Sequence, residues 1–234
     1  NAFSPVHTIG DQIVEGIRLH RKMSKKEAME LTVELLGKVG IANPEQRAHE
    51  YPFQLSGGMR QRAMIAMALS FGPELILADE PTTALDVSVQ AQILKLLKDI
   101  QQEFGLSLIF ITHDLAVIAQ MADRILVMYL GQIMEEGSVH DIFSDAVHPY
   151  TAKLLKSVLD PAKKPEGGRL DTIEGTVPEP IRLPERCVFY DRCSEVCSDR
   201  CSREIPPLTE VKPGHKVRCF KVSDRTEAHD TRQG

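Results

Sequence analysis

Short apolar runs that alternate with helical stripes between residues 75 and 128 constrain this chain more than any other feature of its sequence. Leu75–Ala78, Leu106–Ile111 and Arg124–Met128 are strand-sized, and we predict that each forms a buried strand. A helix is predicted after Asp86, where apolar residues recur at helical spacing, and another over Asp114–Met121. Strand, helix, strand, helix, strand with short links predicts an α/β fold with parallel strands and flanking helices.

The chain is predicted to have three parts. Residues 1–70 form a helical subdomain, in which Ser24 and Glu27 fit a capping box and a further helix runs from Ser56 to Ser70. Residues 71–145 form the parallel-sheet part of the core. Residues 146–234 form an irregular C-terminal extension, because prolines recur there and apolar periodicity is weak.

Composition limits the classes of function. The net charge of −5 argues against a dedicated nucleic-acid binder, which usually carries a basic face. No stretch approaches the roughly 18 apolar residues of a membrane span, so action at a membrane requires docking on membrane partners. Residue 1 is Asn rather than Met, and we interpret the chain as a fragment of a longer product.

Two segments can bind or process an anionic ligand. Ser56-Gly57-Gly58 stands at the start of a predicted helix, where exposed amides and the positive helix end can form an anion site. Alone, this motif is more often just a turn before a helix. Asp79 and Glu80 end an apolar strand, at the sheet edge where α/β proteins bind ligands. Asp79 can hold Mg²⁺ and Glu80 can act as a general base. In isolation such a pair more often marks a solvated acidic strand end.

Two further motifs follow in order: Ala84-Leu85-Asp86 and Thr112-His113-Asp114. With Leu55–Arg62 and Leu75–Pro81 they resemble, over residues 1–150, the signature motif, Walker B, D-loop and H-loop of ATP-binding-cassette ATPases. The resemblance implies that Glu80 activates the hydrolytic water and that His113 contacts the γ-phosphate. It implies nucleotide or Mg²⁺ contacts for a set of six residues, which are Ser56, Gly57, Gly58, Gln61, Asp79 and Asp86.

The family's mechanism places two such domains head to tail with two ATP molecules between them. The Ser56 region then contacts the ATP held by the partner, and Asp86 couples the two sites. A phosphate-binding loop needs Gly-x-x-x-x-Gly-Lys-Ser/Thr, which occurs nowhere in the sequence. We therefore expect this polypeptide alone to be inactive and to bind ATP weakly, and expect ATPase activity of the full-length protein.

The extension resembles that of the dipeptide, oligopeptide and nickel importers' ATPase subunits, through His148-Pro149-Tyr150-Thr151 and Gly175-Thr176-Val177-Pro178. This resemblance implies a peptide-importer motor at the cytoplasmic face of the inner membrane. Its implied partners are a second cassette subunit in a heterodimer, transmembrane permease subunits and, indirectly, a substrate-binding protein, with no nucleic acid. A nickel importer ATPase, a non-catalytic module that completes a partner's ATP site, and a soluble cassette protein acting on nucleic acid are the alternatives.

All five cysteines lie between residues 187 and 219, and four thiolates can bind zinc or an iron–sulfur cluster. Their spacings lack the short pairs of common zinc sites. The family resemblance implies a four-iron, four-sulfur cluster held by Cys187, Cys193, Cys201 and Cys219, with Cys197 as a competing ligand. Zinc and free thiols are the alternatives.

Overall fold

The computed structural model describes residues 3–83, 85–157 and 173–223, in two compact units that comprise residues 1–113 and 114–234. No helix in these described ranges is both long and apolar enough to cross a bilayer. The proposed division into three parts at residues 70 and 145 stays a prediction.

The first unit begins with helices: α1 (Ile9–His20), α2 (Lys25–Lys38), α3 (Pro44–Ala48) and α4 (Gly57–Leu69). The capping box predicted from Ser24 and Glu27 is present at the start of α2 and supports its first turn. Ser56 caps α4, because its side chain accepts a hydrogen bond from the Met59 amide. The local sequence therefore fixes where both helices begin.

The first unit ends with a strand–helix–strand segment, which consists of β1 (Leu75–Asp79), α5 (Val87–Phe104) and β2 (Ser107–Ile111). β1 and β2 pair in parallel, from Leu75 opposite Ser107 to Asp79 opposite Ile111. The prediction of parallel strands with a connecting helix is confirmed here. Because parallel strands end at the same edge, the residues after Asp79 and Ile111 lie beside each other.

The prediction that these two strands are buried is wrong, because Ala78 is the only buried residue among the ten that form them. Leu77 is 60% exposed, and Leu75, Ile109 and Ile111 are also about half exposed. On the other face Ala78 is buried. The side chains are apolar on both faces, as is typical of parallel strands, which are usually buried on both sides.

The second unit contains α6 (Leu115–Met121), β3 (Arg124–Tyr129), β4 (Gln132–Ser138), α7 (Val139–Ser144), α8 (Pro149–Lys156), β5 (Thr209–Lys212) and β6 (His215–Val217). Its four strands form a sheet in the order β3-β4-β6-β5, and all neighbours are antiparallel.

The prediction that the run after Arg124 is a third parallel strand is wrong. β3 pairs antiparallel with β4, and only Leu130 and Gly131 connect them. Both residues have positive φ angles, 46° and 77°, as a tight two-residue hairpin turn requires. Such a short turn reverses the chain directly, whereas a parallel partner needs a long crossover.

The extension is mostly irregular, as predicted, with short 3₁₀ turns at Tyr190–Arg192 and Asp199–Ser202. It also supplies strands β5 and β6, which the sequence did not predict. Phe189 is 1% exposed and packs its ring against Tyr129 and Tyr150. These aromatic contacts give the extension, including its helix α8, a core that it shares with β3.

Candidate active site

Glu80 and His113 meet at the carboxyl edge of the parallel strands. Glu80 follows β1 and its amide donates to the Ile111 carbonyl at 2.8 Å. Its φ of 44° lies in the left-handed region, which is unusual for a residue with a side chain. His113 Nδ1 lies 2.8 Å from Glu80 Oε1. The strand pairing predicted from sequence thus brings these two candidates into contact.

Thr83 is the second partner of the Glu80 carboxylate and was missed by sequence reasoning. Its hydroxyl donates to Glu80 Oε2 at 2.9 Å, so each carboxylate oxygen has its own partner. The signal for this contact was the turn itself, in which Thr83 stands three residues after Glu80. Hydrogen bonds from His113 and Thr83, in that order of size, lower the pKa of Glu80. Glu80 is therefore an ionised, solvent-accessible proton acceptor at neutral pH.

Asp79 is the last residue of β1 and its side chain is exposed beside Glu80. Carboxylate oxygens are the ligands that Mg²⁺ prefers, and an exposed strand end leaves room for the ion's water shell. The donor chemistry of Asp79 therefore fits the Mg²⁺ that the sequence predicts.

The exposed turn at the start of α4 contains Ser56, Gly57 and, half-buried, Gly58, while Gln61 stands in the next turn of the helix. The Ser56 hydroxyl oxygen accepts a hydrogen bond from the Met59 amide at 3.3 Å. The first amides of a helix have no intrahelical partner. In α4 the first two of these amides belong to Gly57 and Gly58. The predicted helix start with a Ser56 cap is confirmed, and anion binding there stays a prediction.

Asp86 caps α5, and Ala84 of the same motif lies outside the described residues. Asp86 Oδ1 accepts from the Ser88 hydroxyl at 2.6 Å and from the Val89 amide at 2.9 Å. These bonds, Ser88 first, lower the pKa of the carboxyl group. The side chain thus fixes the start of its own helix, while its role in coupling two ATP sites stays a prediction.

All five cysteines line one small cavity in the second unit. They carry no disulfide, and Cys197 Sγ and Cys201 Sγ lie 3.8 Å apart. Among the residues that the structure describes, no group of three or more His, Cys, Asp or Glu side chains converges to hold a metal ion.

Burial dominates the ionisation of these thiols. It raises the pKa of Cys187 and Cys193, and it raises that of Cys219 to about 12. Burial also acts to raise the pKa of Cys201, but hydrogen bonds from the backbone and side chains of Cys197 and Ser198 together lower it. A cation in the cavity would have to displace protons from Cys187, Cys193 and Cys219 before these thiols could become ligands.

A buried polar cluster next to the cysteine cavity was also missed by sequence reasoning. Glu135 of β4 and His215 of β6 are fully buried, and Glu135 Oε1 lies 2.8 Å from His215 Nε2. The amides of Val147 and His148 donate to the same carboxylate at 2.8 and 3.0 Å. His148 Nδ1 in turn accepts from the Tyr150 amide and caps α8. One carboxylate thus joins β4, β6 and the start of α8.

Two family models match the sequence: "ABC transporter" over residues 2–83, and "Oligopeptide/dipeptide transporter, C-terminal region" over residues 134–201. The first contains Ser56, Asp79 and Glu80, and the second contains the His148-Pro149-Tyr150 segment. The boundary between the matched regions falls in the stretch where the structure changes from parallel to antiparallel strands.

Curated relatives carry peptide-transport names. The oligopeptide transport ATP-binding protein AppD of Bacillus subtilis is 50% identical over 94% of this chain and 66% of its own length. OppD of Escherichia coli, with the same description, is 47% identical over 94% of this chain and 64% of its own length. The chain therefore spans slightly less than two thirds of the length of these relatives.

Solved structures support the cassette fold. A dimeric cassette, MJ0796, in a post-hydrolysis state with ADP and phosphate is 31% identical over 59% of each chain, with a TM-score of 0.52. An inward-facing putative metal-chelate type ABC transporter is 26% identical over 66% of this chain and 60% of that one, with a TM-score of 0.57. With its motifs, fold and relatives in agreement, the chain belongs to the ATP-binding-cassette ATPases of the oligopeptide/dipeptide transporter group.

Proposed function

We propose that this chain acts, within its full-length protein, as the ATP-hydrolysing motor of a membrane importer for peptides. The observation that carries the proposal is the contact of Glu80 with both His113 and Thr83 at the edge of the parallel strands. An ionised carboxylate there can accept the proton of a water molecule as that water attacks the γ-phosphate. Peptides are proposed as cargo because the relatives named above are peptide-transport proteins; nickel is the alternative cargo.

The remaining site residues have positioning roles in this proposal. Asp79 would hold Mg²⁺, which neutralises charge on the phosphates, and His113 would contact the γ-phosphate. The turn at Ser56, Gly57 and Gly58, with Gln61, would face the ATP of a partner cassette, while Asp86 would transmit the state of one site to the other. Catalysis would then consist mainly of placing charge around the transferred phosphoryl group.

The partners follow from this arrangement. A second cassette subunit would complete each ATP site, as the dimeric form of the similar cassette with ADP and phosphate supports. Transmembrane permease subunits would hold the pair at the cytoplasmic face of the inner membrane, and a substrate-binding protein would deliver the peptide. The competing function is a non-catalytic module that only completes a partner's site, and it differs in whether Glu80 is needed for turnover.

ATP binding and hydrolysis by the full-length protein test the proposal. Glu80→Gln should abolish hydrolysis but keep ATP binding, because the amide cannot accept the proton from water. His113→Ala should also reduce turnover strongly. Substantial hydrolysis by the Glu80→Gln variant would exclude the general-base role and favour the non-catalytic module. Hydrolysis by residues 1–234 alone at the full-length rate would contradict the need for a phosphate-binding loop.

We also propose that the cysteine cavity holds an iron–sulfur cluster that stabilises the extension. The support is that all five thiols line one small cavity, and four thiolates are the ligand set of such a cluster. Cys187, Cys193, Cys201 and Cys219 are the proposed ligands, and Cys197 is the alternative to Cys201. A cluster at this position would supply folding free energy to a segment with little apolar core.

Iron and sulfide content after anaerobic purification tests this second proposal. Cys219→Ser should strongly lower bound iron, because it removes one of the four proposed ligands. Cys197→Ser should retain iron if Cys201 is the ligand. Zinc without iron in the purified protein would contradict the cluster, and iron content unaffected by Cys219→Ser would contradict Cys219 as a ligand.

A further inference from the structure

Helices α4 and α5 begin side by side in the first unit. A Cβ atom built on Gly57 would lie 3.3 Å from Leu85 Cδ2, and one built on Gly58 would lie 2.6 Å from Val89 Cγ1. One turn further along, Arg62 Nη2 lies 3.2 Å from Gln92 Oε1. The two helices therefore run alongside each other from their first turns.

The contact at Gly58 leaves no room for a side chain. Carbon atoms pack best at about 3.5–4.0 Å, so a methyl group on Gly58 would have to move by roughly 1 Å relative to Val89. Val89 cannot rotate away freely, because a β-branched side chain in a helix has essentially one χ1 rotamer. An alanine at position 58 would therefore push the start of α4 away from α5. An alanine at position 57 would be tolerated better, because the flexible Leu85 side chain can move by the few tenths of an ångström that the new methyl group requires.

The same first turn of α5 is linked to the rest of the site. Val89 donates its amide to Asp86, which caps the helix, and Asp86 follows the turn in which Thr83 contacts Glu80. A shift of Val89 would therefore move two parts of the site. One is the helix start after Ser56, and the other is the turn between Glu80 and Asp86.

We propose that Val89 is a positioning residue, which seats the start of α4 against the Asp86 turn by filling the space beside Gly58. This inference rests on the proposed ATPase function. It explains how the turn after Ser56 is positioned to face the nucleotide. Position 58 must then be glycine because of packing within the chain. The competing explanation is that glycine is needed there to let a phosphate approach the backbone.

Compensation separates the two explanations. Gly58→Ala in the full-length protein should lower kcat for ATP by up to about 100-fold, because a shift of about 1 Å can cost that much. KM for ATP should change far less, because that ATP is held by the partner's phosphate-binding loop. Adding Val89→Ala removes the obstructing branch, so the Gly58→Ala/Val89→Ala double variant should recover to within about threefold of Val89→Ala alone.

Gly37→Ala is the matched control. It is also a helical glycine, but a Cβ there would lie 3.8 Å from Pro44 Cγ, an ordinary contact. Its kcat should equal that of the unaltered protein. The thermal unfolding midpoint of every variant gives a second measure that does not depend on ATP: Gly58→Ala should lower it, and adding Val89→Ala should raise it again.

Each outcome decides the proposal. Equal loss of kcat in the double variant and in Gly58→Ala, or a kcat for Gly58→Ala equal to that of Gly37→Ala, would overturn it. An unaltered full-length protein that does not hydrolyse ATP would refute the proposed function instead. In that case recovery of the unfolding midpoint would still support the packing contact, while absence of recovery would refute that contact too.

Discussion

Replacement of Glu135 by glutamine tests whether one buried carboxylate holds the second unit together. Its Oε1 accepts from the Val147 amide and lies within hydrogen-bond distance of His215 Nε2, and its Oε2 accepts from the His148 amide. Glutamine offers only one acceptor oxygen. The less costly orientation keeps that oxygen at the Oε1 position, so its NH₂ group faces the His148 amide, donor against donor.

The expected cost follows from the single donor that loses its acceptor. A buried donor left unpaired costs about 1–3 kcal/mol, so Glu135→Gln should lower the free energy of unfolding by that amount. Glu136→Gln is the matched control at the next position. Glu136 pairs with Arg124, whose side chain is 51% exposed, and such surface pairs contribute about 0–1 kcal/mol.

Urea unfolding of the full-length protein and amide hydrogen exchange are the assays. Glu135→Gln should shift the unfolding of the second unit to lower urea and should speed exchange of the His148 amide more than that of Val147. If both variants unfold at the same urea concentration, or if exchange at His148 does not change, the carboxylate does not connect these segments in the way we describe.

Three further predictions concern other parts of the molecule. Thr83→Val should lower kcat for ATP roughly threefold to tenfold, by loss of one hydrogen bond to Glu80, and Thr83→Ser should restore it; an unchanged kcat in the valine variant would remove Thr83 from the site. Lys212 and then Ser138 lower the pKa of Asp141 to about 2, so this carboxylate stabilises the fold above pH 3.8 and that contribution is lost as the pH falls through about 2. Lys212→Met should raise that pKa in a carboxyl NMR titration, and an unshifted titration would disprove the pairing. Ser56→Arg should abolish ATP-dependent dimerisation in light scattering, and unaltered dimerisation would contradict its placement at a partner's nucleotide.

The sequence predicted those features that depend on neighbouring residues. Capping side chains fixed the starts of α2, α4 and α5 at Ser24, Ser56 and Asp86, as the structure confirms. The contact of Glu80 with His113 was also within reach, because two parallel strands end at one edge and each of these residues follows a strand.

Features set by distant pairing were not predicted. The run after Arg124 is apolar enough for a buried parallel strand, and only the two-residue turn at Leu130 and Gly131 indicates a hairpin. Strands β5 and β6 have four and three residues, too short for an apolar period to show. Glu135 and His215 are 80 residues apart in the chain, and neither residue type alone predicts a buried pair.

The position of β6 between β4 and β5 has a consequence for proteolysis and solubility. β6 satisfies the backbone groups along part of β4, so β6 protects what would otherwise be an open sheet edge. A protein cleaved before Thr209 would expose that edge, and unpaired edges of this kind recruit strands from other molecules. Nicking in the extension should therefore cause aggregation well before it affects the nucleotide chemistry of the first unit.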